Sequence, residues 1–184
     1  MKRKTAKEIL AESFREMAEI KPVDRIAVIE IVENCGYSTT TFYRHFRDKY
    51  DLMAWEYTRH IEELMRRLDA DGYEWKRLCL DAVRLFDGQK DDLKNLLLHT
   101  SGMDSFARNM KSIHFEALKK RVLKVSNATA LDVKMEMYVR GYCQGTVDLT
   151  CDWIMGQYDA SCEELAEVYE NFPSVPLRNC LVDR

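Results

Sequence analysis

The residues best suited to recognition chemistry crowd between positions 38 and 49. Ser38 is followed by Thr39, Thr40 and Thr41, then by Tyr43, Arg44, His45 and Lys49. Threonines are small enough to approach a DNA groove and can bond base edges or phosphates. Phe42 and Phe46, four apart, can anchor the opposite face in a core, which leaves Tyr43 and Arg44 pointing outward with Thr39 and Thr40. Lys49 stands one residue after Asp48, the cap of the following helix. A cation there faces the positive end of the helix dipole and costs roughly 0.3–1 kcal/mol. A phosphate held jointly by Lys49 and that helix start removes the penalty, and His45 and Tyr43 are placed to share it. Lys2, Arg3, Lys4 and Lys7 could also reach DNA, the competing reading being a solubilising charged end.

Catalytic and metal chemistry have no comparable pattern. The sequence holds no H-E-x-x-H, no G-x-S-x-G, no phosphate loop and no G-x-G-x-x-G. His60, His99 and His114 fall on separate segments, where ordinary surface or core histidines account for them. Cys35, Cys79, Cys143, Cys151, Cys162 and Cys180 stand far apart without C-x-x-C, so reduced thiols are expected rather than a zinc site or a disulfide framework. The expectation is a non-enzyme with no catalytic residue, no metal and no cofactor. No uncharged run nears the roughly 18 residues that span a bilayer. Lys7, Glu8 and Glu12 interrupt the stretch where a signal peptide would be apolar, so no membrane association and a cytoplasmic location are expected. Net charge is −3, with 10 Lys/Arg against 8 Asp/Glu in residues 1–50 and 18 against 23 in the rest, a basic head on an acidic body.

The elements that must position these residues read as helices throughout. Only 7 Gly and 3 Pro interrupt 184 residues, which favours long helices over many short strands. Thr5 and Glu8 form a capping box that opens a helix with Ala6, Leu10, Phe14 and Met17 on one stripe, ending near Lys21-Pro22. Val28, Ile31, Val32 and Cys35 make a second, shorter stripe that stops at Gly36. Ser38 caps the third, with Tyr37 and Phe42 in hydrophobic-staple positions. Asp48 starts a fourth running to Asp71-Gly72, and Trp75 to Gly88 a fifth. Segments around 91–100 and 103–124 give two more. Thr129 to Gly156 reads as the longest helix, with two apolar stripes: Leu131, Met135, Tyr138, Tyr142 and Leu149 on one, Val139, Cys143, Val147 and Ile154 on the other. Ser161 and Glu164 form a second capping box, opening a last helix with Leu165, Val168, Tyr169 and Phe172 inward, ended by Pro173 and Pro176. The fold expected is all-α, about nine helices: a three-helix DNA-binding head over 1–48 and a helical bundle over 49–184.

The run Gly36-Tyr37-Ser38-Thr39-Thr40-Thr41-Phe42-Tyr43-Arg44-His45-Phe46-Arg47-Asp48-Lys49-Tyr50-Asp51-Leu52 resembles the recognition-helix signature of the TetR family of bacterial transcription regulators, G-x-S-x-x-T-[FL]-Y-x-H-F-x-x-K-x-x-L. Every fixed position matches, and the likeness extends over about residues 5–55. The resemblance implies a homodimer that places its third helices in successive major grooves of an approximately palindromic duplex operator. By position it makes Thr39, Thr40 and Arg44 base readers or groove contacts, and Tyr43, His45 and Lys49 phosphate contacts. Thr41 lies within the same DNA-binding run. One departure is Ala27, where the family usually has Thr or Ser; Asp24 is the substitute considered for starting the second helix. Lys21-Pro22-Val23, the Thr41 to Leu52 run, and Trp153-Ile154 with Gly156, Ser161 and Glu164-Leu165 resemble the subgroup that holds the activator of dihydroxyacetone-kinase operons.

The family also implies an inducer-binding or partner-binding domain behind the head. Tyr57, Ile61, Phe106, Met110, Tyr138 and Tyr142 are the candidate lining of an effector cavity, because aromatics and Met tolerate irregular apolar shapes. Plain core packing accounts for the same residues. The fourth helix, running from Lys49 inward, would couple such a cavity to the head. A protein partner in place of a small-molecule effector is the alternative. The surplus apolar surface of the 129–156 helix, with Val147 on it and Gly141 and Gly145 permitting close approach, predicts a dimer built from the two final helices.

Overall fold

The computed structural model describes residues 4–68, 72–101 and 105–182. Its elements are α1 (Ala6–Ala18), a short 3-10 turn (Val23–Arg25), α2 (Val28–Cys35), α3 (Thr39–His45), α4 (Lys49–Arg67), α5 (Trp75–Asp87), α6 (Lys90–Leu98), α7 (Phe106–Ser126), α8 (Val133–Ile154), α9 (Cys162–Asn171) and α10 (Val175–Leu181). The fold is all-α, and the described residues contain no strand. Lys2, Arg3, Asp71 and Met103 lie outside the described residues.

Local chemistry sets most of the boundaries. Thr5 N–H donates to Glu8 Oε2 at 2.8 Å while Glu8 N–H donates to Thr5 Oγ1 at 3.3 Å, satisfying two donors that α1 leaves open. The same reciprocal pair recurs between Ser161 and Glu164, at 2.8 and 3.2 Å, and opens α9. Gly36 ends α2 with φ +72°, a left-handed conformation that a side chain would oppose whatever the space around it. Asp132 accepts from Met135 N–H at 2.7 Å, so α8 begins at Val133 and not at Thr129.

Several expectations are corrected. Asp24 does not start the second helix: it lies in the separate 3-10 turn, and Ala27 precedes α2 with no side-chain cap. Glu30 compensates, its Oε2 accepting from Ala27 N–H at 2.8 Å. Pro176 does not end the chain of helices but sits in the first turn of α10, where a missing N–H costs nothing. Leu177 and Leu181 of that unforeseen helix are fully buried. Leu165 and Tyr169 face inward as expected, but Val168 and Phe172 are 45% and 50% exposed.

The head packs α1 on α2 and α2 on α3 around Leu10, Phe14, Ile31, Val32, Phe42 and Phe46. Its core continues across position 48, because Leu52 of α4 is fully buried and Phe46 meets Trp55 with ring centroids 5.6 Å apart. Behind it, α4 packs on α5 and α7, α7 on α8, α5 on α9, and α10 on α7 and α8. Helix α8 buries Val139, Tyr142, Cys143, Thr146, Val147, Thr150 and Ile154 on one broad face, packed on α7, α6 and α10.

Candidate nucleic-acid interface

Helix α3 is anchored from beneath and open above. Ser38 caps it by accepting from Thr41 N–H at 3.1 Å, and its hydroxyl also meets Thr41 Oγ1 at 3.1 Å. Phe42 is fully buried and packs against Phe46, with centroids 5.8 Å apart. With that side fixed, helical periodicity turns positions 39, 40, 43 and 44 to the opposite arc. Thr40, Tyr43 and Arg44 are exposed and Thr39 is half-buried. Arg44 has no ion-pair partner among the described residues. The arc therefore combines two hydroxyls, a phenol and an unpaired guanidinium on one short rigid element.

The other three candidates are placed differently. Thr41 spends its hydroxyl on the Ser38 cap. His45 is half-buried, and its Nε2 is enclosed without a hydrogen-bond partner, out of reach of a phosphate in this arrangement. Lys49 folds back: its Nζ donates to the carbonyls of Asp24 and Ile26, both at 2.8 Å. Burial holds the Lys49 ammonium below the usual lysine value, Lys21 adds to that, and the carboxylates of Asp24 and Glu30 oppose it. Two carbonyls thus account for a cation at the start of α4 without a phosphate, and they take two of its three N–H donors, with Nζ lying 5.3 Å from the Tyr50 ring centroid. Asp48 caps α4 as expected, accepting from Asp51 N–H at 2.8 Å. Of the basic start, Lys4 pairs with Glu12 at 2.6 Å and Lys7 lies over the rings of Phe46 and Trp55 at 5.3 and 5.4 Å.

The six candidate effector residues do not share a cavity. Tyr57 and Phe106 pack edge to face, centroids 5.4 Å apart, and border a cavity of about 60 Å³ between α1, α4 and α6. Ile61 and Tyr142 border a second, of about 50 Å³, with Trp75, His114, Thr150 and Tyr169. Met110 is fully buried in the core, and Tyr138 borders neither space. What sequence reasoning missed is polar: Tyr57 Oη meets His114 Nε2 at 2.8 Å, Thr150 Oγ1 meets Tyr169 Oη at 2.5 Å, and Asn95 of α6 reaches the head.

A capped, outward-facing α3 behind a tight glycine turn, carried on a helical body, defines the class: a helix-turn-helix protein. Residues 9–54 match the family described as bacterial regulatory proteins, tetR family. The match spans the head and the start of α4. An uncharacterized HTH-type transcriptional regulator of Mycobacterium tuberculosis strain H37Rv is 33% identical over 79 residues, 42% of each chain. The HTH-type dhaKLM operon transcriptional activator DhaS of Lactococcus lactis is 25% identical over 79 residues, 43% of this chain and 42% of that one. The likeness to these relatives thus spans less than half of their length. Among solved structures, the dihydroxyacetone kinase operon activator DhaS superposes with a TM-score of 0.61 at 17% identity, covering 95% of this chain and 93% of that one. That likeness extends the shared fold over the body as well as the head.

Proposed function

We propose that the protein is a sequence-specific regulator of transcription that binds an approximately palindromic duplex as a two-fold dimer. The observation that carries this is the α3 arc, where Thr39, Thr40, Tyr43 and Arg44 project from a helix locked by Phe42, Phe46 and the Ser38 cap. Thr39, Thr40 and Arg44 read base edges; Tyr43 and the third Lys49 N–H bind phosphates. A titration of purified protein on a selected duplex tests it. Tyr43→Ala should weaken binding to all sequences, whereas Arg44→Ala should change which site is preferred. Indifference of affinity and site choice to both substitutions would refute it.

The dimer face requires revision from the sequence expectation. Val147 is fully buried within its own chain, and a Cβ on Gly145 would lie 2.5 Å from the Phe172 ring, so neither is free for a partner. The outer face of α8 carries Val133, Met137 and the open Gly141, and α9 presents Val168 and Phe172. We assign the dimer contact to this face. Sedimentation of Met137→Asp combined with Phe172→Asp should show a monomer, and an undisturbed dimer would contradict the assignment.

For the effector, the candidate residues favour the second reading, a protein partner. The two spaces that those residues border, of about 60 and 50 Å³, fall well below the roughly 300–1,000 Å³ of small-molecule sites, while the larger clefts of about 660 and 540 Å³ lie along α5, α9 and α10, away from them. The relatives include an operon activator, so activation is the direction to test first. Capture of a co-regulator with loss of response to any metabolite supports the partner; a metabolite that changes DNA affinity supports the inducer.

A further inference from the structure

One side chain of the body grips the segment of the head that joins α1 to α2. Asn95, half-buried on α6, accepts from Val23 N–H at 3.1 Å through Oδ1 and donates through Nδ2 to the carbonyls of Ala18 at 2.7 Å and Lys21 at 3.0 Å. Ala18 is the last residue of α1 and Val23 the first of the 3-10 turn. A single amide thus satisfies two carbonyls freed at a helix end and one N–H of the next element. Because the amide is planar, three simultaneous bonds fix the angle of the segment as well as its distance from α6.

Neighbouring bonds fasten the same stretch. Lys49 of α4 holds the carbonyls of Asp24 and Ile26, and His99 Nδ1 at the end of α6 lies 3.5 Å from Asp24 Oδ1. Apolar packing at this joint is incomplete. The cavity of about 60 Å³ separates Ala11 and Phe14 of α1 from Leu93 and Leu96 of α6. An interface with a void beside it resists tilting less than a close-packed one. The polar clamp therefore adds directional restraint on the α6 side of the joint, beside the packing of α1 on α4.

We propose that Asn95 is a positioning residue for DNA binding: it sets the pitch of the head on the body, and so the half-site spacing that a dimer accepts. The inference rests on the DNA-binding reading above. In a two-fold dimer the bodies fix the distance between heads, and a loosened joint would let each head follow a displaced half-site. Base choice within a half-site belongs to α3 and should not change.

The test compares wild type, Asn95→Ala and Asn95→Asp by fluorescence anisotropy on the selected duplex and on duplexes with one or two base pairs inserted between half-sites. Wild type should lose about tenfold or more in affinity on the inserted duplexes, the size of an ordinary mismatch penalty, and both variants less than about threefold. Preference among bases within each half-site should match wild type in all three proteins. Asn95→Asp keeps the acceptor for Val23 but sets a carboxylate against two carbonyls, and its size makes folding secure where alanine fails. Circular dichroism establishes that each variant is folded. Folded variants with the wild-type spacing preference would overturn the proposal, as would failure of both to fold, which would make Asn95 a folding residue. If wild type selects no duplex at all, the DNA-binding reading falls first.

Discussion

Acidification should destabilise the body through one histidine. The rings of His114, Tyr57 and Phe86 form a cluster, with His114 at centroid distances of 5.8 and 6.5 Å from the other two, and its Nε2 meets Tyr57 Oη at 2.8 Å. Burial pushes its pKa down from 6.5 to about 4. Since the folded value lies below the unfolded one, the unfolded chain binds the proton first, and stability falls as pH drops from 6.5 towards 4. At about 1.4 kcal/mol for each pH unit crossed, the loss by pH 4.5 is on the order of 2–3 kcal/mol. For a chain of this size that lowers Tm by roughly 5–10 °C. His60, whose pKa burial also lowers against the opposing pull of Glu56, titrates in the same direction, so the assay must isolate His114. Thermal melts of wild type and His114→Gln at pH 7 and 4.5 do so, glutamine retaining a partner for Tyr57. The variant should lose about 2 kcal/mol less over that interval. If the two proteins lose equal stability, the Tyr57–His114 contact is not the source and the reasoning fails.

Other perturbations follow from particular contacts. Lys49→Met removes two hydrogen bonds from a half-exposed cation, so it should cost about 1–2 kcal/mol in chemical denaturation and reduce the salt slope of DNA binding by about 0.9; an unchanged slope would remove Lys49 from the phosphate contacts. Gly145→Ala should gain little in wild type, because the new Cβ displaces the Phe172 ring, yet stabilise a Phe172→Ala background by about 0.5–1 kcal/mol through helix propensity, which a double-mutant cycle measures. Leu177→Ala should cost about 2–5 kcal/mol if α10 is integral to the body, and near zero if it frays.

The parts of this molecule that sequence disclosed are those decided within a few residues. Thr5 with Glu8, Ser161 with Glu164, Ser38 and Asp48 mark helix starts because a cap and its N–H partner lie three positions apart. Phe42 and Phe46, four apart, orient α3 just as locally, so its outward arc was legible in the spacing. Long-range packing was not. Nothing in the spacing of Tyr57, Ile61, Phe106 and Tyr142 says that two cavities divide them, and periodicity alone placed Val168 and Phe172 inward where α5 meets only one side of α9. Pro176 read as a stop because proline is compatible with a helix interior nowhere but its first turn, and Leu177 and Leu181 are a single i, i+4 pair in a seven-residue helix whose start no side chain caps. Lys49 looked like an anomaly awaiting an anion because its carbonyl partners stand 23 and 25 residues earlier. Asn95, whose three partners lie 72 to 77 residues away, gave no sign at all.

The central claim is that the α3 arc reads duplex DNA. Selection of the purified protein on a random duplex pool at low salt, run beside Arg44→Ala, tests it most directly. The wild-type pool should converge on an approximate palindrome with half-sites one helical turn, roughly 34–36 Å, apart, and the Arg44→Ala pool should differ at one position in each half-site. A wild-type pool that enriches no sequence, or an Arg44→Ala pool identical to it, would contradict the account.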